Sequence, residues 1–510
     1  MIPASAPVSP INPWQWEAGY WRPSSPNQTC AISSGTEMQL ARALRLLPAH
    51  AGETYNPPRL GLVGAGGKTT ALFQLARQLP PPVLVTASTH LGEHQVTAAE
   101  HLIARSPVDL RFLEAGIPET VLVITGPREQ ADNIPGRMMG LDPITMDSLH
   151  TLAERKGIAL LVEADGSRQL PLKAPADHEP VLPGFVDTVV VVAGLSGLGK
   201  PLTNQWVHRP EIFSALSQLQ PGENVTIEGL ARLLSHPQGG VKGIPPGARR
   251  VSLLNQADVP EGRSAGLSLA QRLLPVYSSV VLAALGVQRS LPASAALVPG
   301  TGDVQAGAVF AVHERIAGII LAAGGATRFG RLKQLLPWRG EPFVRHAARS
   351  ALQAGLKPVV VVTGAQAQAV RAALQGMDLV QVENPDWEAG QSSSLQAGLR
   401  VLPPETGAVI FLLADQPHVP VSLLRALTET HSETLSALVA PLVDGRRGNP
   451  VLFDRSTFPA LMALRGDVGG RALFSTGDRF PISWVPWLDS SLLLDVDTPQ
   501  DYRRLIDLDA

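Results

Sequence analysis

The chain has 510 residues, 45% of them hydrophobic and only 17% charged, with a formal net charge of −2. That length exceeds one ordinary core, so two or three domains are expected. The near-neutral balance removes the electrostatic case for nucleic acid or an anionic membrane as partner, and the single cysteine, Cys30, excludes an internal disulfide or a cysteine-rich metal site.

Residues 1–36 are rich in Pro, Ser and Trp without a clear period and read as an irregular extension. No apolar core follows Met1, and the longest apolar runs, such as Val189–Ala193, are strand-sized. A cytoplasmic protein with neither signal nor membrane contact is therefore expected.

From residue 37 the pattern alternates between strands and helices. Met38–Leu47 reads as helix, Leu60–Val63 as strand and Thr69–Gln78 as helix. Strands follow at Val83–Thr86, Val121–Thr125, Ala159–Glu163 and Val189–Val192; residues 211–233 read as helix and 277–286 as a last strand. Continuous apolar strands separated by helices indicate a parallel sheet covered on both faces.

Residues 60–70 read LGLVGAGGKTT, a strand running into a glycine loop that opens a helix. A full P-loop is Gly-x4-Gly-Lys-Ser/Thr. Its first glycine would fall at position 62, which is Leu62, so this loop is shorter and begins at Gly64. Gly64, Gly66, Gly67, Lys68, Thr69 and Thr70 are the phosphate-binding candidates, with Lys68 for β/γ phosphates and Thr69 for a metal. The same short spacing occurs in Mur-type ATP ligases. Beyond the strand 159–163, Asp165 could serve the metal through water. The proline-stiffened run 165–180 holds Arg168, Lys173, His178 and Glu179. His90 and the pair His208-Arg209 are further candidates, although each histidine alone can equally be structural.

The shortened loop, VEADGSR at 162–168, GLGKPL at 197–202 and VHRP at 207–210 together resemble the YqeC-type accessory proteins, over about 45–290. That family is linked to maturation of selenium-dependent molybdenum hydroxylases. The resemblance implies a P-loop-like domain over 37–300 with bound ATP or GTP, and leaves the reaction open. A nucleotide-consuming step and a nucleotide-switched delivery chaperone, with a molybdenum hydroxylase apoenzyme as partner, both remain.

Residues 301–315 read as a linker, with the boundary near 312. A second strand, glycine loop and helix open at 316, and residues 316–510 read as a second open α/β sheet. Its strands are expected at Pro358–Thr363, Leu379–Glu383, Ala408–Leu413 and Ala437–Pro441, with helices at Arg345–Gln353 and Ala365–Leu374. The stretch 318–337 contains Leu321, Ala322, Ala323, Gly324 and Gly325, then Arg328 and Lys333. Glycines let several backbone N–H groups face one anion, and the two cations add charge beside them. Asp415 ends an apolar strand, where open α/β sheets bind ligands. Asp495 and Asp497 lie in LLLDVDTP. Asp415 with Asp497 forms a candidate Mg2+ site.

These segments, with NPDWEAGQSSSL at 384–395 and RGNP at 447–450, resemble molybdenum-cofactor nucleotidyltransferases over about 316–508. In that family Leu-Ala-Ala-Gly accompanies the CTP-using, MocA-type branch, so Ala323 favours CTP over GTP. The resemblance implies a Rossmann-like fold and transfer of CMP to the terminal phosphate of the molybdopterin-type molybdenum cofactor, with release of pyrophosphate. Arg328 and Lys333 would stabilise the pyrophosphate and Asp415 would hold Mg2+. Asn384, Ser392 and Ser393 would line the base or pterin side, unless they only cap a loop. A sugar-phosphate or polyol nucleotidyltransferase is the alternative on the same fold.

Overall fold

The computed structural model describes residues 14–17, 20–23, 38–50, 53–97, 99–129, 136–286, 308–325 and 332–507. Two compact units divide the chain between Arg315 and Ile316: Glu37–Arg315 is one, and Ile316–Ala510, taken with Met1–Thr36, is the other.

The N-terminal unit is built on a parallel sheet. Its spatial order is Glu100–Ile103, Val121–Thr125, Val83–Ala87, Ala159–Glu163, Arg59–Gly64, Thr188–Gly194, Arg249–Asn255 and Ser279–Ala284. All seven of these pairings are parallel. The central strands Val83–Ala87, Ala159–Glu163 and Thr188–Gly194 are buried throughout, as a sheet covered on both faces requires. From Arg59–Gly64 the chain builds outward on one side to Val83–Ala87, returns at Ala159–Glu163 to fill the gap, then crosses to Thr188–Gly194 on the other side. The reversal lies at the strand that feeds the glycine loop, and such a reversal opens a crevice at the carboxyl ends of the strands.

The helix after the loop spans Lys68–Gln78 and buries Ala71, Leu72, Leu75 and Ala76, one helical stripe. The prolines at 80–82 stop it. A helix over Pro143–Lys156, absent from the sequence reading, carries clear signals. Asp142 accepts the N–H groups of Ile144 and Thr145, Pro143 is the first helical residue, and Gly157 closes the end at φ 64°.

Three expectations change. Residues 211–233 form two helices, Pro210–Ser217 and Ile227–Ser235, because Gln218 turns left-handed at φ 64° and Pro221-Gly222 follow. The stretch 301–315 is not simply a linker: strand Ala308–Ala322 begins inside it, and 308–314 pair antiparallel with Ser279–Ala284. Buried Val309, Ala311 and Val312 give that segment its reason to pair. Residues 1–36 contain a hairpin in which Trp14–Glu17 pairs antiparallel with Tyr20–Pro23, so that stretch is not irregular throughout; Cys30 lies outside the described residues.

The C-terminal unit carries a mixed sheet ordered Val380–Glu383, Val359–Thr363, 318–322, Thr406–Leu413, Val451–Asp454, Leu438–Val443 and Ile482–Pro486. Strands Val380–Glu383, Val359–Thr363 and 318–322 run parallel; Val451–Asp454 is antiparallel to both neighbours. Apolar clusters fill both faces, one around Ile320, Val361 and Ile410, the other around Ile319, Val362 and Phe411. Alternate residues of one strand thus serve opposite layers. No helix among the described residues is long and apolar enough to cross a membrane.

Candidate functional site

In the N-terminal unit the glycine loop is shaped by contacts that exclude side chains. Gly64, Gly66 and Gly67 have φ of 99°, 85° and 123°. A Cβ on Gly64 would lie 2.2 Å from the Val192 carbonyl oxygen, and one on Gly66 2.4 Å from the Gly194 nitrogen. Only glycine fits both the backbone conformation and the space.

Lys68 emerges from this loop almost fully buried and donates to the Gly64 carbonyl at 2.8 Å. Its ammonium lies 3.2 Å from Asp165 and 3.7 Å from Glu163. Thr69 donates its hydroxyl to Glu163 at 2.9 Å. Asp165 also accepts the Gly64 N–H and sits 2.8 Å from Lys173. Lys173 reaches Glu179 at 2.7 Å, and Arg209 grips both oxygens of Glu179 at 2.7 and 3.1 Å. Three acids and three bases therefore alternate from Glu163 to Arg209. Removing a partner from such a buried ionic set strands the others without compensation.

Burial opposes the Lys68 charge, but Asp165 and Glu163 outweigh it and raise its pKa. Burial raises the Glu163 carboxyl against the pull of Lys68 and Thr69. Burial also opposes the Glu179 charge, yet hydrogen bonds from Arg209 and Lys173 bring it down to about 2. His208 is brought down to about 4 by burial, then by Arg209, Lys173 and Arg168. A cavity of about 30 Å³, room for one water, adjoins Gly64, Asp165 and Lys173.

The fold thus brings Lys68, Thr69, Asp165 and Lys173 together, with His208 nearby. Thr70 and Arg168 are exposed, as is His178. His90 lies in the short ribbon His90–Gly92 with Arg137–Met139, 3.8 Å from Glu129, outside the ionic chain. Asp165, expected to serve a metal through water, instead holds two lysines and a loop amide. The acid on the Thr69 hydroxyl is Glu163, which the sequence reading left inside its strand. It ends the strand that pairs with the loop's own strand, a neighbourhood that only the fold displays.

In the C-terminal unit Ala322 and Ala323 are buried, and Ala323 lies in the core under the loop with Val360, Val362 and Leu395. Leu321 is partly buried against the same cluster. Gln334 donates to the carbonyls of Ala322 and Gly324 at 3.3 and 3.0 Å, tying down the loop entrance. Trp387 stands against Gly325, where an added Cβ would meet the indole at 3.2 Å. Arg328 lies outside the described residues.

Lys333 sits between two carboxylates, 2.5 Å from Asp497 and 4.0 Å from Asp415. The Asp415 side chain is about a third exposed (36%), so it can reach a ligand. Although the side chain opens partly to solvent, the protein packed around the carboxyl raises its pKa, Lys333 opposes the rise, and Asp495 and Asp497 add to it. Asp495 is held by the Gln416 amide. Among the described residues no group of three or more His, Cys, Asp or Glu has the geometry of a finished metal site. The two carboxylates nevertheless converge on one ammonium, and hard cations take such oxygen donors.

Asn384, Ser392 and Ser393 are committed internally. Asn384 donates to the hydroxyls of Ser393 and Ser394 and accepts the Asp386 N–H. Ser392 donates to the Gly466 carbonyl at 2.8 Å, and Ser393 to those of Asp386 and Gly390. These bonds shape the turn before the helix Gln391–Arg400.

Residues 60–211 match the family model of the YqeC protein, and residues 318–480 that of the MobA-like NTP transferase domain. The uncharacterized protein YqeC of Escherichia coli K12 is 33% identical over 228 residues, 44% of this chain and 85% of that protein. The nicotine blue oxidoreductase of Paenarthrobacter nicotinovorans is 36% identical over 201 residues, 38% of this chain and 96% of that protein. This chain belongs to both families. Its N-terminal unit is YqeC-type and its C-terminal unit MobA-like. A third relative, the molybdenum cofactor cytidylyltransferase of Escherichia coli K12, is 24% identical over 186 residues, 36% of this chain and 92% of that protein. The MobA-like unit is a nucleotidyltransferase, an enzyme that takes a nucleoside triphosphate.

Proposed function

We propose that the MobA-like unit transfers CMP from CTP to the terminal phosphate of a molybdopterin-type molybdenum cofactor, and that the YqeC-type unit binds ATP or GTP in a step of the same maturation. The observation that carries the reading is Lys333 suspended between Asp415 and Asp497 beside the pinned loop at 323–325. A cytidylyltransferase among the relatives and Ala323 in the loop favour CTP.

In the transfer an oxygen of the cofactor's terminal phosphate attacks the α-phosphorus of CTP. The bond from that phosphorus to the α–β bridging oxygen breaks, and pyrophosphate leaves. No protein nucleophile is required, so the chain's task is alignment and charge stabilisation. The amides of the loop at 323–325 and Lys333 face the β and γ phosphates, and Arg328 is assigned to the same role from its place in the sequence alone. A triphosphate draws Lys333 toward itself and frees Asp415 and Asp497. Asp415 and Asp497 would then be the carboxylates that hold a magnesium ion, which would supply positive charge to the triphosphate. In the YqeC-type unit the γ phosphate competes with Asp165 and Glu163 for Lys68, and Thr69 with Glu163 forms the metal side of the site.

The test is incubation of the full chain with the molybdenum cofactor and each triphosphate in turn, following pyrophosphate and the mass of the product. Pyrophosphate release from CTP that depends on the cofactor supports the reading. Turnover with a sugar phosphate and none with the cofactor selects the sugar-nucleotide alternative.

A further inference from the structure

At the carboxyl end of the N-terminal sheet, one side chain ties the phosphate-type loop to a place where a base can be read. Asn255 ends the strand Arg249–Asn255, two strands from the loop's own strand. It is buried, donates to the Gly66 carbonyl at 2.7 Å, and accepts the Leu285 N–H at 2.8 Å. One amide thereby joins the loop to the ends of two neighbouring strands. Gly67 permits the approach: a Cβ there would lie 2.3 Å from the Asn255 amide nitrogen.

The residues after Asn255 are fixed as well. Gln256 adopts φ 63° and accepts the Ser196 hydroxyl at 2.6 Å. Left-handed backbone in a residue other than glycine is costly and concentrates at functional sites. Ala257 is buried and its N–H is held by the Ala283 carbonyl at 3.1 Å. Asp258 then stands exposed on the rim, and its side chain makes no hydrogen bond or ion pair among the described residues. Two strand spacings separate this rim from the loop's strand, about 10 Å, the span from a nucleotide's phosphates across its ribose to its base.

We propose that the nucleotide of the N-terminal unit is a guanine nucleotide and that Asp258 reads its base. This rests on the reading of loop 64–70 as the phosphate site. A carboxylate only accepts hydrogen bonds, and its two oxygens suit two donors side by side. Guanine presents that pair, the ring N1–H and the exocyclic N2 amino group. Adenine presents one amino donor next to an acceptor nitrogen, which a carboxylate repels. The bolted Asn255-Gln256-Ala257 segment supplies the rigidity that such discrimination needs.

The test is calorimetric titration of the full chain with GDP, ADP and xanthosine diphosphate, in excess CTP to fill the C-terminal site. The expected result is GDP binding at least ten times tighter than ADP. Asp258→Asn should weaken GDP at least tenfold and strengthen xanthosine diphosphate, whose C2 carbonyl accepts from the introduced amide. Lys68→Arg, which keeps the buried charge, should weaken whichever nucleotide occupies the loop. ADP binding as tight as GDP, or GDP binding indifferent to Asp258→Asn, overturns the guanine proposal even where Lys68→Arg confirms a phosphate site. Absence of any purine nucleotide binding overturns the phosphate-site reading, and this proposal with it.

Discussion

The Thr69 hydroxyl donates to Glu163 at 2.9 Å, joining the second residue of the loop helix to the end of the strand Ala159–Glu163. The same carboxylate lies 3.7 Å from Lys68. The sites expected for phosphate and for metal are thus occupied, side by side, by the protein's own charges. A ligand must displace ion pairs rather than fill an empty cradle.

Lys68→Ala should destabilise the N-terminal unit, because it leaves Glu163 and Asp165 buried without their shared cation. Breaking a buried ionic set costs roughly 3–5 kcal/mol. Urea unfolding of the full chain should show an earlier first transition, and Lys68→Arg should recover much of it. An unchanged midpoint would show that the ionic chain contributes nothing to stability.

Acid should weaken the same unit in two stages. His208 has its pKa lowered from 6.5 to about 4. The unfolded chain therefore binds its proton first, and that share of stability is lost as pH falls from 6.5 toward 4. Glu179 is lowered from 4.5 to about 2, so its share is present above 4.5 and lost as pH falls toward 2. Unfolding midpoints measured from pH 7 to pH 3 should fall in both windows, and Glu179→Gln should flatten the lower one. A His208 titration near 6.5 by NMR contradicts the first stage.

Asp415→Asn should reduce nucleotidyl transfer by about 10²-fold or more while leaving the fold intact, since it removes a carboxylate that burial and two neighbouring acids disfavour. The ionised carboxylate is the form a cation requires. The wild-type rate at fixed magnesium should therefore rise with pH through the raised Asp415 pKa. The variant's residual rate should lose that dependence. Stopped pyrophosphate assays across pH check both points.

Gln334→Ala should release the Ala322 and Gly324 carbonyls that its amide holds. Loss of hydrogen bonds of this kind costs about 1–2 kcal/mol. A loosened loop should raise KM for the triphosphate more than it lowers kcat. A fall in kcat with KM unchanged would place Gln334 in the transition state rather than in loop support.

Much of this was legible in the amino-acid order. Arg59–Gly64, Lys68–Gln78, Val359–Thr363 and Thr406–Leu413 lie within two residues of their expected bounds, because apolar runs bounded by Gly, Pro or Asp leave few alternatives. Asp142-Pro143 and Gly157 also announced a helix, through a cap, a first-turn proline and a left-handed stop. What the sequence could not display is partnership between distant positions. Glu163 reads as the last residue of an apolar strand until Thr69, 94 positions earlier, is placed on it. Asn384, Ser392 and Ser393 carry the right chemistry for a ligand, and only their hydrogen bonds reveal that they hold each other and the turn. Asp497 is remote from Lys333 in sequence and touches it in the fold.

The central claim is that Lys333, Asp415 and Asp497 serve cytidylyl transfer to the molybdenum cofactor. It is tested most directly by incubating the full chain with that cofactor and an equimolar mixture of CTP, GTP, ATP and UTP, then weighing the product. A cofactor enlarged by one CMP, with matching pyrophosphate and no such product from Asp415→Asn, is the expected result. A cofactor carrying GMP, or an unmodified cofactor beside consumed triphosphate, would contradict it.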